Sequence, residues 1–129
     1  MEKNYQKVKN YLLDLEYSID AESESNGTFI ISKEDEGIKN MVIACADPIL
    51  IMEQPLFVLK HETAGVLKEL LKKNRDIVHG AFVLDDNNRV LFRDTLQIEN
   101  LDLNELDGSL NSLSMLLSEY GRKLVEFAK

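Results

Sequence analysis

The sequence predicts an α+β domain with the element order α-β-β-β-α-β-β-α and a mainly antiparallel five-stranded sheet. Three observations predict it. Apolar residues recur at spacings of three and four near both ends and once in the middle, the signature of amphipathic helices. Runs rich in β-branched and aromatic residues fall in two blocks between those helices. The links inside each block are short and rich in Asp, Asn and Gly, which favours hairpins and antiparallel neighbours over an alternating parallel fold.

The first helix follows Tyr5, Val8, Leu12, Leu15 and Ile19, with Tyr11 widening the stripe. The acidic, small-residue stretch Asp20 to Gly27 reads as a loop. Thr28 to Ser32 is the first strand, and Glu34-Asp35-Glu36-Gly37 is a hairpin loop ending on glycine. Ile38 to Ala46 is the returning strand, punctuated by Asp47-Pro48. Ile49 to Met52 is the third strand, with a continuation past Pro55 to Phe57. Glu62 to Asn74 is the second helix, in which Ala64, Val66, Leu67, Leu70 and Leu71 form a broad apolar arc and Lys72 and Lys73 suit the C-terminal end of the helix dipole. His79 to Leu84 and Arg89 to Ile98 are the last two strands, joined by Asp85-Asp86-Asn87-Asn88, residues that tolerate left-handed backbone. Asp102 with Glu105 three residues on forms a D-x-x-E capping box for a last helix. Its stripe of Leu106, Leu110, Leu113, Leu117, Tyr120, Leu124 and Phe127 runs for about six turns.

A chain of 129 residues, with 44% apolar and 29% charged residues, suits one domain over residues 1–129 with a core of its own. The formal net charge of −8 and the lack of a basic stripe argue against nucleic acid and anionic membrane surfaces as partners. Cys45 is the single cysteine, so no internal disulfide is possible, and its apolar run MVIACA suits a buried thiol in a reducing compartment. MEKNYQKVKN lacks the apolar core of a signal peptide, and no stretch reaches the roughly 20 apolar residues that span a bilayer. Cytoplasm is therefore the expected location.

No constellation singles out catalysis, a cofactor or a metal, and none is expected. Cys45 and His79 are a conceivable nucleophile and base, but a core thiol and an ordinary strand histidine explain them better. His61 and His79 are the only histidines and have no zinc-ligand spacing with Cys45. Counted from Asp85 as a calcium loop, the sixth residue is Val90 where glycine is needed and the twelfth is Leu96 where glutamate is needed. Glu34-Asp35-Glu36 reads as a solvated loop. Arg89 and Arg93 point the same way on the last strand and are read as partners of acidic neighbours sooner than as an anion grip. G-x-G-x-x-G, Walker and G-x-S-x-G motifs are absent.

The positive signal is a sheet apolar on both faces. The Ile38 to Ala46 strand carries Ile38, Val42 and Ala44 on one side and Met41, Ile43 and Cys45 on the other. The next block carries Val78, Phe82 and Leu84 opposite Ala81 and Val83, then Val90 and Phe92 opposite Leu91. Both faces then need cover, from the chain's own helices, from a second subunit or from a bound segment.

From Ile49 to Phe127 the chain resembles the type III secretion chaperone fold shared by the Tir-chaperone (CesT-like) and YbjN-like families. The resembling residues are ILIMEQPL, the helix ETAGVLKELLKKN, the hairpin HGAFVLDDNNRVLFRDTL and the capped helix LDLNELDGSLNSLSMLLSEY. The resemblance implies a non-enzymatic chaperone or adaptor-like homodimer that binds an unfolded or extended segment of a client protein. A stand-alone YbjN-like regulatory domain is the alternative, and a small-ligand binder or enzyme with an uncharted pocket is a third. The apolar arc and the same resemblance place the candidate dimer interface at Val66, Leu67, Leu70, Phe82 and Leu84. A monomer whose long last helix covers the surplus is the opposing reading.

Overall fold

The computed structural model describes residues 2–60 and 64–129. Helix α1 (Glu2–Asp14) leads into β1 (Ser18–Ser23), β2 (Thr28–Lys33), β3 (Ile38–Ala46) and β4 (Ile49–Val58). Helix α2 (Ala64–Asn74), the hairpin β5 (Ala81–Leu84) and β6 (Arg89–Gln97), and helix α3 (Leu103–Ala128) follow. The six strands form one antiparallel sheet in the order β1-β2-β3-β4-β6-β5. The connection through α2 carries the chain past β4 to the far edge, and β6 then returns to fill the gap between β4 and β5.

The sheet has six strands, not five, because Ser18–Ser23 is a strand that takes in the start of the stretch expected as a loop from Asp20 to Gly27. Helix α1 also stops at Asp14, so Ile19 belongs to β1 and not to the helix. Glu16 adopts a left-handed φ of 66°, and the Tyr17 N–H closes back on the Leu12 carbonyl, which ends the helix and turns the chain into the sheet. β1 is an edge strand whose residues are mostly exposed, so it lacks the alternation that marks a half-buried strand. The first helix and β1 are tied together by the Tyr5 hydroxyl, which donates to Glu22, and by Lys9, whose ammonium lies 3.1 Å from the same carboxylate. These contacts hold the Glu22 carboxyl below the usual carboxylate range, the Tyr5 hydrogen bond contributing most.

The faces follow from register, because residues directly opposite one another on antiparallel strands share a face. One face carries the rows Phe29–Ile43–Met52–Asp94, Cys45–Leu50–Leu96 and Gln54–Phe92–Phe82. Helices α1 and α3 cover it. The Tyr5 ring stacks on Phe29 with centroids 4.5 Å apart, and Ser109 of α3 donates to Asp94. Leu106, Leu110 and Leu113 of α3 are buried against this layer, while Leu117, Tyr120 and Phe127 are half-buried. The cap of α3 is as expected: the Asp102 carboxylate accepts from the Glu105 N–H at 2.7 Å.

Ile38 corrects the expected face assignment. Lys33 pairs with Ile38 and Ile31 with Met41, so β3 holds one extra residue opposite β2, and Asn40 takes a φ of 51° within that bulge. The bulge swings Ile38 onto the covered face with Met41, where both are buried, and away from Val42 and Ala44. Gln54, also buried, clamps the distortion: its Oε1 accepts from the Lys39 N–H at 3.2 Å and its Nε2 donates to the Gly37 carbonyl at 3.3 Å. The hairpin strand before β6 is shorter than expected. It begins at Ala81, which leaves His79 and Val78 outside it, and Val78 is 87% exposed. Gly80 explains the break, since it takes a φ of 84° and a Cβ there would come within 2.4 Å of the Phe92 ring.

Candidate protein-binding surfaces

The second face of the sheet carries the rows Ile30–Val42–Glu53–Arg93–Ala81, Thr28–Ala44–Ile51–Thr95 and Pro55–Leu91–Val83. Neither α1 nor α3 reaches it, since both pack on the opposite side through Phe29 and Asp94. Val42, Ala44 and Ile51 are accordingly half-buried, with the flanks of their own neighbours as cover, and Ile30 is 37% exposed. The result is an apolar strip across the middle strands. The Glu53–Arg93 pair lies beside it, with 3.4 Å between Arg93 Nε and Glu53 Oε2. A strip of this kind gains free energy by burial, about 25 cal/mol for each Å² of apolar surface removed from water.

The expected dimer residues lie along α2 and β5, and the structure divides them by depth. Leu70 and Phe82 belong to the chain's own core. Phe82 meets the Phe92 ring edge-on at a centroid distance of 6.1 Å and lies 6.0 Å from the Tyr120 ring. Val66 and Leu67 are half-buried, and Leu84 is 46% exposed. Leu71, on the same helix, is 71% exposed. Between α2 and β5, Leu67, Leu70, Leu71, Phe82 and Leu84 line a groove of about 180 Å³, apolar but for Asn74. The sequence arc could not separate the side chains that point inward, Leu70 and Phe82, from those left at the surface, Leu71 and Leu84.

The residues weighed for chemistry are not brought together. Cys45 lies in the core on β3, and burial, with Asp47 adding to it, pushes its thiol up to about 11. His79 is exposed just before β5, three strand positions away in the sheet, or roughly 14 Å at the usual inter-strand spacing. Arg89 binds Asp85, with Nε 2.8 Å from Oδ2, and the other Asp85 oxygen accepts the Asn87 and Arg89 N–H groups at 2.9 Å each. Asp85 is thus the anchor of a hairpin turn, closed by Asn88 at a φ of 59°. The Arg89 backbone bond is the first cause of its lowered carboxyl pKa. Glu34–Glu36 forms a single 3-10 turn. His61 lies outside the described residues. Among the described residues no group of three or more His, Cys, Asp and Glu side chains is placed to hold a metal ion, and no helix is long and apolar enough to cross a membrane.

The CesT_Tir_1 family model matches residues 1–129. A search of curated proteins finds no match. Among solved structures the fold is similar to YbjN from E. coli, at 16% identity and a TM-score of 0.70 over 92% of this chain and 91% of that one. It is similar to the HopA1-SchA chaperone-effector complex, at 14% identity and a TM-score of 0.66 over 92% and 94%. It is also similar to the Yersinia pestis type III secretion chaperone SycH in complex with a stable fragment of YscM2, at 18% identity and a TM-score of 0.61 over 96% and 98%. At these identities the likeness is one of fold.

Proposed function

Because the chain belongs to the CesT_Tir_1 family, we propose that it is a non-enzymatic, protein-binding chaperone or adaptor that works as a homodimer and receives an extended segment of a client polypeptide. The observation that carries this reading is the family match over the whole chain. Two others support it. Similar folds occur in a chaperone-effector complex and in a secretion chaperone holding a partner fragment. The uncovered apolar strip of Ile30, Val42, Ala44 and Ile51 offers a client a surface that gains from burial.

The homodimer reading rests on the exposed apolar side chains at α2 and β5. Leu71 and Leu84 supply the contact area, Val66 and Leu67 flank it, and Leu70 and Phe82 support it from below. The net charge of −8 turns polyanions away, and a free, buried thiol fits a reducing cytoplasm. The likeness to YbjN favours a second reading, a stand-alone regulatory domain whose partner is a folded protein.

The test is affinity recovery of the tagged full chain from its native cells, followed by re-expression of the recovered polypeptide with the chain. The proposal expects a stoichiometric complex in which a short stretch of the partner, extended when free, suffices for binding. Recovery of the chain alone, or of a partner that binds only when fully folded, removes the chaperone reading.

A further inference from the structure

At the β5 edge the backbone of Phe82 turns outward, away from β6, and its two polar groups are met by one side chain. Asn74, the last residue of α2, accepts the Phe82 N–H on Oδ1 at 2.8 Å and donates from Nδ2 to the Phe82 carbonyl at 3.1 Å. A carboxamide has the donor and acceptor geometry of a peptide unit, so this pair of bonds is what a neighbouring strand would supply. β5 has only four residues, which makes Phe82 the central outward-facing position of that edge. Exposed strand edges recruit further strands unless something blocks them. Here the neighbouring groove between α2 and β5 is apolar, so an unblocked edge would offer both backbone pairing and side-chain burial.

We propose that Asn74 is a positioning residue that closes the β5 edge against strand addition by standing in for the missing strand. The edge is shut by a side chain anchored on α2, and the helix is in turn held against β5 by the same two bonds. The inference rests on the fold alone and does not depend on the identity of any client.

The test uses the full chain, with backbone amide hydrogen exchange read by NMR and mass read by light scattering over a range of concentrations. In the unaltered protein the Phe82 amide exchanges slowly. In Asn74→Ala its protection falls about tenfold or more, while the amides of Ala81 and Val83, which face β6, keep theirs. The mass of Asn74→Ala then rises with concentration above that of the unaltered protein. Asn74→Leu, which keeps the helix and adds apolar contact, gives the same two changes should the alanine variant fail to fold. An unprotected Phe82 amide in the unaltered protein overturns the proposal. So does a mass curve for the variants that superimposes on that of the unaltered protein. Failure of both variants to fold also overturns it, since Asn74 would then be a structural residue and not an edge guard.

Discussion

Cys45 shows how a reactive side chain becomes inert through placement alone. It is 2% exposed on the covered face of β3, opposite Leu50, and burial raises its thiol pKa to about 11. A raised thiol pKa means the folded state favours the neutral form. Its contribution is complete below the unfolded pKa of about 8.5 and is lost as the pH climbs toward about 11. A thiol reagent at pH 8 should therefore react only as fast as the protein unfolds, and reaction at the rate of a free thiol would contradict this placement. Cys45→Ser places a hydroxyl where the thiol was and should cost about 1–3 kcal/mol in denaturant unfolding. Its position in MVIACA made that burial legible from sequence. The role of Gln54 was not legible, because nothing in ILIMEQPL marks a glutamine that turns inward to bind the backbone on either side of a bulge.

Helices were easier to read than strands, for a physical reason. The stripe of α3 repeats over many turns, so a single mismatch does not obscure it, and the D-x-x-E cap marks its start. Asp102→Ala removes the acceptor for the Glu105 N–H and should lower stability by about 1 kcal/mol, seen as a shift of the denaturant midpoint at unchanged slope. No measurable shift would mean that water replaces the cap without cost. β1 went unread because an edge strand exposed on most of its residues needs no apolar alternation, and SIDAES has the composition of a loop. Ile38 was placed on the wrong face because a period of two carries no warning of an inserted residue, and the left-handed Asn40 is the sole local sign of the bulge.

Across the whole molecule, the sequence showed apolar residues on both faces of the sheet but not which face the helices would leave open. The three helices are drawn to one face and one edge, so the surplus falls on the opposite face and around α2 and β5. Depth decides which variants report on assembly. Phe82→Glu buries a charge between Phe92 and Tyr120 and should abolish folding. Leu84→Glu changes a side chain that is 46% exposed and should leave the protomer folded. Light scattering on the unaltered chain should give about twice the protomer mass of 14.7 kDa, and Leu84→Glu should give the single mass with an unchanged circular dichroism spectrum. A folded Leu84→Glu variant that keeps the double mass would place the interface elsewhere.

On the proposed reading, the chain binds a polypeptide segment through apolar surface its own helices leave uncovered. Calorimetric titration of the recovered partner's binding segment, made as a synthetic peptide, tests it most directly when run against the unaltered chain and against Ile30→Lys. Ile30 is 37% exposed on the open face, so the lysine is tolerated by the fold but sets a charge in the strip. The open strip predicts saturable binding with a negative heat-capacity change for the unaltered chain. It also predicts an affinity at least about tenfold weaker for Ile30→Lys, the equivalent of roughly 1.4 kcal/mol. Equal affinity for both proteins, or heats of dilution alone with the unaltered chain, would contradict it.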